Sequence, residues 1–450
     1  METIVQIAEG LIAVLSGWLM LIMIWQLVIS FFGYKRDGKP YQDHEPEKRF
    51  LVLVPAHNEE AVIGDIINNL SHMDYPRELY DFYILADNCT DHTADVARSH
   101  GANVLEFFKD GPDEPTGKPI ALQKALNALE GYQDKYDLVM FFDADNLMDP
   151  NMFREVNSQY VDADGKADII QCYLGAKNRK GVVALFYYMS YTITNRFFQY
   201  AKSRMGLNSV IGGTGFAVNA RYLYERGGWT AMSLTEDFEL QVEATCEGRR
   251  ILWNNNVRIY DEKPTAFRAS FRQRTRWAQG HWYVAFKNTG KLIRALAQGR
   301  IRPLEFFSTF MYLYSLTPYV VLILQLILTG LLEGARLLGW LPPAAARAAA
   351  LSWEAANLPG IALFFYCFVF LFYAAEWMDN RIRPQISVFI PMLWSMLLNT
   401  FVAGWAQVVG LFKHRQQNNW VKTEHKINDL EDMTVRLSHM DTDKQNSAEM

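Results

Sequence analysis

Three short motifs could do chemistry together, and they follow one another along the chain: Asp143-Ala144-Asp145, Thr235-Glu236-Asp237 and Gln273-Arg274-Thr275-Arg276-Trp277. Two aspartates one residue apart offer hard oxygen ligands to Mg²⁺ or Mn²⁺, cations that bind through few carboxylates and keep waters or phosphates. A cation held there would neutralise the charge that develops on a diphosphate as its bond to a sugar breaks. A nearby carboxylate can take the proton of an attacking hydroxyl. That role is expected of Asp237, with Glu236 orienting it or the acceptor. The plainer use of these two acids is to complement the dipole at a helix N-terminus. Gln273 can exchange hydrogen bonds with sugar hydroxyls and Arg276 can hold a leaving diphosphate. The indole of Trp277 can lie on a sugar face.

The elements before these motifs should place them on one rim. Residues 50–55 read as a buried strand, and Asn58-Glu59-Glu60 reads as the cap of a helix running to about residue 70. Strands are expected at 82–86, 103–107 and 137–142, with helices at 93–100 and 118–129. This alternation implies a mostly parallel sheet with helices on both faces. Ligands bind such sheets beyond the carboxyl ends of the strands. His57 and Asn58 follow the first strand, Asp87 and Asn88 the second, and Asp143 and Asp145 the last. Asp87 is placed to accept from a nucleotide base, while Asp91 reads as a helix cap. Lys118 could reach a diphosphate as a point charge. Thr235-Glu236-Asp237 opens a helix at 236–246. The cluster Gly212-Gly213-Thr214-Gly215 would let backbone approach an acceptor closely.

Composition bounds the rest. The net charge of -5 comes with no basic domain suited to nucleic acid, and the apolar half of the chain is gathered in blocks. Blocks at 11–32, 306–332 and 387–412, and a shorter one at 360–375, approach the roughly 20 residues that cross a bilayer. Glu2 and Glu9 precede or open the first block and Lys35-Arg36 follow it, unlike a cleavable signal. The positive-inside bias then puts residue 35 onward in the cytoplasm. The expected order is an N-terminal membrane helix at 1–36, a cytosolic catalytic domain at 37–280, an amphipathic interfacial segment at 281–302, a membrane region at 303–412 and a polar tail at 413–450. Basic residues near 380–383 and 413–415 both look cytoplasmic. Residues 387–412 are therefore expected to be re-entrant, broken near Pro391, unless the tail lies outside. The four cysteines are far apart and form no metal-ligand pattern, and three of them fall in the region expected to be cytosolic, where thiols stay reduced.

With these residues in order, the chain resembles the processive membrane-bound family 2 glycosyltransferases, among them cellulose, hyaluronan, chitin-oligosaccharide and poly-N-acetylglucosamine synthases. The resemblance runs from about Phe50 to Trp277. It is carried by Val54-Pro55-Ala56-His57-Asn58-Glu59, Asp87, Lys118, Asp143, Asp145, the glycine cluster, Thr235-Glu236-Asp237 and the Gln273, Arg276 and Trp277 motif. It implies a GT-A fold, an α/β Rossmann-like domain beside α-helical membrane segments. It further implies a nucleotide-sugar donor (a UDP-sugar ahead of a GDP-sugar), Mg²⁺ or Mn²⁺, and inversion to a β-linkage. Pro55, Asn58, Glu59, Asp87, Lys118 and Asp143 then fall on the donor side, and Asp143 and Asp145 on the metal. Trp420-Val421-Lys422-Thr423-Glu424-His425 is similar to the ending of plant mannan and glucan synthase-like enzymes, a hint of hexan synthesis. The chain departs from the family in having few later spans and no recognisable C-terminal regulatory domain, which leaves room for an export partner. The expected activity is transfer of a hexose or N-acetylhexosamine to a growing glycan. The alternatives are transfer of one sugar to a lipid, and a non-catalytic part of an export complex. The intact acids argue against the last.

Overall fold

The computed structural model describes residues 2–35, 39–109, 111, 114–341, 366–380 and 389–417. In chain order its first elements are α1 (Glu2–Phe31), β1 (Phe50–Ala56), α2 (Ile63–Ser71), β2 (Tyr80–Asp87), α3 (Thr93–Ser99), β3 (Asn103–Phe107), α4 (Lys118–Ala128), α5 (Tyr132–Lys135), β4 (Leu138–Phe141), β5 (Leu147–Met148), α6 (Met152–Asp162) and β6 (Ile169–Ala176). Then come α7 (Val182–Thr194), a π-helical turn (Asn195–Tyr200), α8 (Ala201–Arg204), β7 (Phe216–Asn219), α9 (Ala220–Glu225), α10 (Glu236–Cys246), β8 (Ile251–Asp261) and α11 (Phe267–Ala297). The last are α12 (Pro303–Leu313), α13 (Thr317–Leu337), α14 (Leu371–Asp379) and α15 (Phe389–Lys413).

Strand β1 shows why the sheet lies in the middle. Successive side chains point to opposite faces, so Phe50, Val52 and Val54 enter one core with Ile63, Ile67 and Leu70 of α2 and Phe153 of α6. Leu51 and Leu53 enter the other, with Leu122 and Leu126 of α4, Trp229 and Leu240. Burial on both faces is what makes the run continuously apolar rather than alternating. The strand order is β3-β2-β1-β4-β7-β6-β8-β5. β3, β2, β1 and β4 run parallel, as the sequence suggests. β6 and β8 are also parallel to each other, while β7 is antiparallel to β4 and β6, and β5 to β8, so the sheet is mixed, with most of its strands parallel as expected. β7 and β5 span four and two residues, too short to declare themselves by periodicity.

Two local expectations change. Helix α2 begins at Ile63 and no side chain caps it. Asn58 instead adopts φ 57, a left-handed conformation that asparagine tolerates. Its Oδ1 accepts from the Thr90 N–H at 2.7 Å, which ties the end of β1 to the loop after β2. Asp91 lies one residue before the N-cap of α3, which is His92, and accepts from the Thr93 N–H at 3.0 Å.

Among the described residues three helices are long and apolar enough to cross a membrane: Gln6–Phe31, Thr317–Leu337 and Phe389–Lys413. The block at 306–332 is split between α12, which packs on α11, and α13. Pro318 stands in the first turn of α13, where its missing N–H breaks no helical bond. α15 runs unbroken from residue 389, with Pro391 likewise in its first turn. At 25 residues it is roughly 37 Å long, enough for a crossing. Part of the block at 360–375, the basic residues 381–383 and everything after residue 417, Trp420 and Glu424 included, lie outside the described residues.

Candidate active site

The carboxyl ends of β1, β2 and β4 meet at one rim. Asp87 closes β2, where its Oδ2 accepts from the Gly117 N–H at 2.9 Å and its Oδ1 from the Asn88 amide at 2.7 Å. Burial pushes its carboxyl above the usual range. His57 Nδ1–H donates to the Asp87 carbonyl at 2.7 Å. Pro55 stands beside Leu85 in the β1–β2 ladder, and the Glu59 N–H donates to Thr93 Oγ1 at 2.7 Å. Pro55, Asn58 and Glu59 thus frame the rim around Asp87.

Gly117 joins this rim to a second cluster through its neighbour. The ammonium of Lys118 lies 2.7 Å from Asp143 Oδ1, 2.6 Å from the Gly213 carbonyl and 3.7 Å from Glu236 Oε1. Burial works against its charge, but Asp143, Glu236 and Asp237 outweigh that and hold its pKa above the ordinary lysine value. Gly213 has φ +85, and a Cβ there would come 3.3 Å from Asp237 Oδ2. Only glycine takes that backbone without strain, so the glycine cluster sets Lys118 and Asp237 on one loop. Glu236 and Asp237 open α10. Burial, reinforced by the Glu236 carboxylate, pushes the Asp237 carboxyl up to about 7. Burial likewise raises Glu236, against the pull of Lys118 and Arg276. Beneath them, Phe238 stacks on His281 with ring centroids 4.4 Å apart. Burial pushes that imidazole down to about 4, and its Nε2–H donates to the Leu313 carbonyl at 2.9 Å. A neutral ring thereby fixes the start of α10.

Helix α11 brings the third motif. Arg276 Nη1 reaches the Leu234 carbonyl at 3.5 Å, just before the Thr235-Glu236-Asp237 turn. Gln273 and Trp277 are not in direct contact with the acids. Gln273 Oε1 accepts from the Tyr187 hydroxyl at 2.9 Å, and Trp277 meets the Tyr187 ring edge-on at 6.0 Å between centroids.

Residues 46–280, just over half of the chain, match the profile described as glycosyltransferase like family 2. The chain belongs to that family. The transferase is 23% identical over 289 residues to a probable glycosyltransferase of Bacillus subtilis, covering 63% of this chain and 67% of the relative. It is 27% identical over 249 residues to a β-monoglucosyldiacylglycerol synthase of Nostoc sp., covering 53% of this chain and 51% of the relative. It is 22% identical over 255 residues to a poly-β-1,6-N-acetyl-D-glucosamine synthase of Staphylococcus aureus, covering 57% of this chain and 60% of the relative. The match thus spans about half to two thirds of these relatives. Among solved structures, the mannosyltransferase PcManGT from Pyrobaculum calidifontis, in complex with GDP-Man and Mn²⁺, superposes with a TM-score of 0.55 at 18% identity. It covers 83% of this chain and 99% of that one. The fold is GT-A.

Besides Lys118, the aspartate pair of the transferase is held by Thr214 of the glycine cluster and by two groups the sequence did not single out, Asn146 and Glu262. The Asp143 N–H donates to Asn146 Oδ1 and Thr214 Oγ1, both at 3.0 Å. Asp145 Oδ2 accepts from the Glu262 N–H at 2.9 Å. Asn146 follows the motif directly and was within reach of sequence reading; Glu262 and Tyr187 act from distant elements and carry no local signal. Among the described residues no three His, Cys, Asp or Glu side chains form a protein-only metal cage. Two carboxylates are nevertheless the donor set that suits Mg²⁺ or Mn²⁺, which complete their shells with water and phosphate. Asp143 Oδ1 faces Lys118 while its side chain remains 41% exposed, which leaves oxygen free to ligate. Asp143 and Asp145 fit the group.

Proposed function

We propose that the transferase is an inverting enzyme of the cell membrane. It moves a hexose or N-acetylhexosamine from a nucleotide sugar, a UDP-sugar ahead of a GDP-sugar, to a growing glycan as a β-linked polysaccharide synthase. The observation that carries this reading is the convergence of Lys118, Asp143, Glu236 and Asp237 about Gly213. A diphosphate-side cluster and a raised carboxyl there lie on either side of one short loop.

In this reading Asp87 accepts from the base of the donor, with Pro55, Asn58 and Glu59 shaping that end. Asp143 and Asp145 hold Mg²⁺ or Mn²⁺, which when bound neutralises charge on the leaving diphosphate. Asp237, half-buried and mostly deprotonated above about pH 7, takes the proton of the acceptor hydroxyl as its oxygen attacks the anomeric carbon. The bond from that carbon to the phosphate oxygen breaks with its electron pair on the diphosphate. Lys118 and Arg276 are the cations near that departing charge. Gln273 and Trp277 hold the acceptor sugar. The three apolar helices support a multi-pass protein with its catalytic domain in the cytoplasm and residues 281–302 at the bilayer surface. An export partner would complete a route for the glycan.

A second reading, transfer of a single sugar to a lipid, is favoured by the 27% identity to β-monoglucosyldiacylglycerol synthase. Membranes containing the transferase, given a panel of UDP- and GDP-sugars, separate the two by product mass. A ladder spaced by one sugar supports the polymerase. A single addition to diacylglycerol supports the glycolipid enzyme and overturns the first reading.

A further inference from the structure

At the end of α10 away from Asp237, a cavity of about 630 Å³ opens between α9, α10 and α11. Nine residues of helix separate Asp237 from Cys246 at its wall, roughly 14 Å. Five cationic side chains face it: Arg226, Arg249, Lys291, Arg294 and Arg300. Three acids share the wall, Glu225, Glu243 and Glu247, and Asp168 pairs with Arg249 from outside it, so one positive charge is in excess.

One of these acids, Glu243, holds two of the cations. Glu243 accepts from Arg226 Nη2 and from Lys291, both at 2.9 Å. Glu247 accepts from the Tyr222 hydroxyl at 2.7 Å, and the Arg249 guanidinium lies over the Tyr222 ring at 4.5 Å. Arg226 is thereby fixed in place at the wall, and Arg249 is held from outside it by Asp168, whose Oδ1 lies 3.2 Å from Arg249 Nη1. The Arg226 side chain is only 7% exposed, and its Nη2 also donates to Thr230 Oγ1 at 3.0 Å. Arg294 and Arg300 have no acidic partner among the described residues and are exposed to the same space.

We propose that this cavity is a second binding site, separate from the reaction centre, for a phosphate-bearing anion. Guanidinium forks match phosphate oxygens in pairs, and Arg294 and Arg300, the two cations without an acidic partner among the described residues, suit one phosphate group. The volume lies within the roughly 300–1,000 Å³ of small-molecule sites, larger than bare phosphate needs, so the phosphate is carried on an organic group. Its source is a soluble phosphomonoester or the headgroup of an anionic phospholipid. Occupancy would tie the end of α10 to the end of α11. These are the helices whose other ends carry Asp237 and Arg276.

The test is hydrogen–deuterium exchange on the full chain in nanodiscs, comparing the native protein with the double variant Arg294→Gln/Arg300→Gln. In one arm the discs are phosphatidylcholine and glucose 6-phosphate is titrated. In the other they contain phosphatidylglycerol and no soluble phosphate. Exchange in residues 222–230, 243–249 and 291–300 is expected to slow severalfold in at least one arm, and the variant is expected to lose that protection. Protection in the first arm alone identifies a soluble ligand, in the second alone a headgroup, and in both the shared chemistry. No protection in either arm, or equal protection in the variant, overturns the site.

Discussion

In the proposed reaction Asp237 is the residue on which the chemistry turns. A carboxyl raised to about 7 is protonated below that pH and serves as a base only above it. The kcat/KM of the native transferase is therefore expected to climb as pH rises through about 7. Asp237→Asn should lose that limb and turn over about 10²–10⁴-fold more slowly, with donor affinity nearly unchanged, because a base acts only in the transition state. A pH–rate profile of both proteins beside donor titrations checks it; normal turnover with weakened donor binding would make Asp237 a binding residue. Asp145 makes a different prediction. Its two oxygens accept one hydrogen bond each, from Glu262 N–H and the Asn146 amide. Asp145→Asn should abolish metal-dependent transfer while thermal unfolding stays put. Full activity of the native enzyme in excess chelator would contradict the metal assignment.

At the scale of elements, α11 decides the geometry. Gly280 presses on the turn before α10: a Cβ there would meet Thr235 Oγ1 at 2.4 Å and the Thr235 N at 2.8 Å. Gly280→Ala must push the Thr235-Glu236-Asp237 turn away. Since a misplacement of about 1 Å can cost roughly 10²-fold in rate, kcat should fall by about that factor while the aspartates still bind donor. An unchanged kcat would mean that the turn is not set by α11. On the same helix, Trp277→Ala should reduce product formed per nucleotide released, because water needs no stacking surface and an acceptor sugar does. An equal ratio in variant and parent would make Trp277 a packing partner of Tyr187 only. Much of this was legible beforehand. The acids declared themselves by type and spacing, and β1 to β4 by apolar runs long enough to read. Helix α10 fell at 236–246 as its motif suggested. What stayed hidden depends on contacts across the chain. Asn58 had the composition of a helix cap but bonds to Thr90, 32 residues away. Tyr187 and Glu262 meet the site only after folding. The apolar block at 306–332 gave no sign that its first turns pack on α11 rather than continue into α13.

In the whole molecule, the apolar helices are joined to the catalytic loop. The Gln417 side chain, just beyond α15, accepts from the Leu234 N–H at 2.9 Å, and Gln279 of α11 donates to the Lys413 carbonyl at 3.3 Å. Leu234 directly precedes the motif that carries the base. Gln417→Ala removes the acceptor of that part-buried N–H. Turnover should slow as the turn before Glu236 and Asp237 loosens, without loss of membrane insertion. An unaltered rate would show that the end of α15 is only an anchor. The most direct test of the molecule as an inverting nucleotide-sugar transferase is the configuration of its product. Native protein in membranes, supplied with Mn²⁺ and the one donor from the panel that it consumes, should release nucleotide in step with a product whose new linkage is β by NMR, and Asp237→Asn should form almost none. A new α-linkage, or equal product from the variant, would contradict the assignment of Asp237 as the base of an inverting transfer.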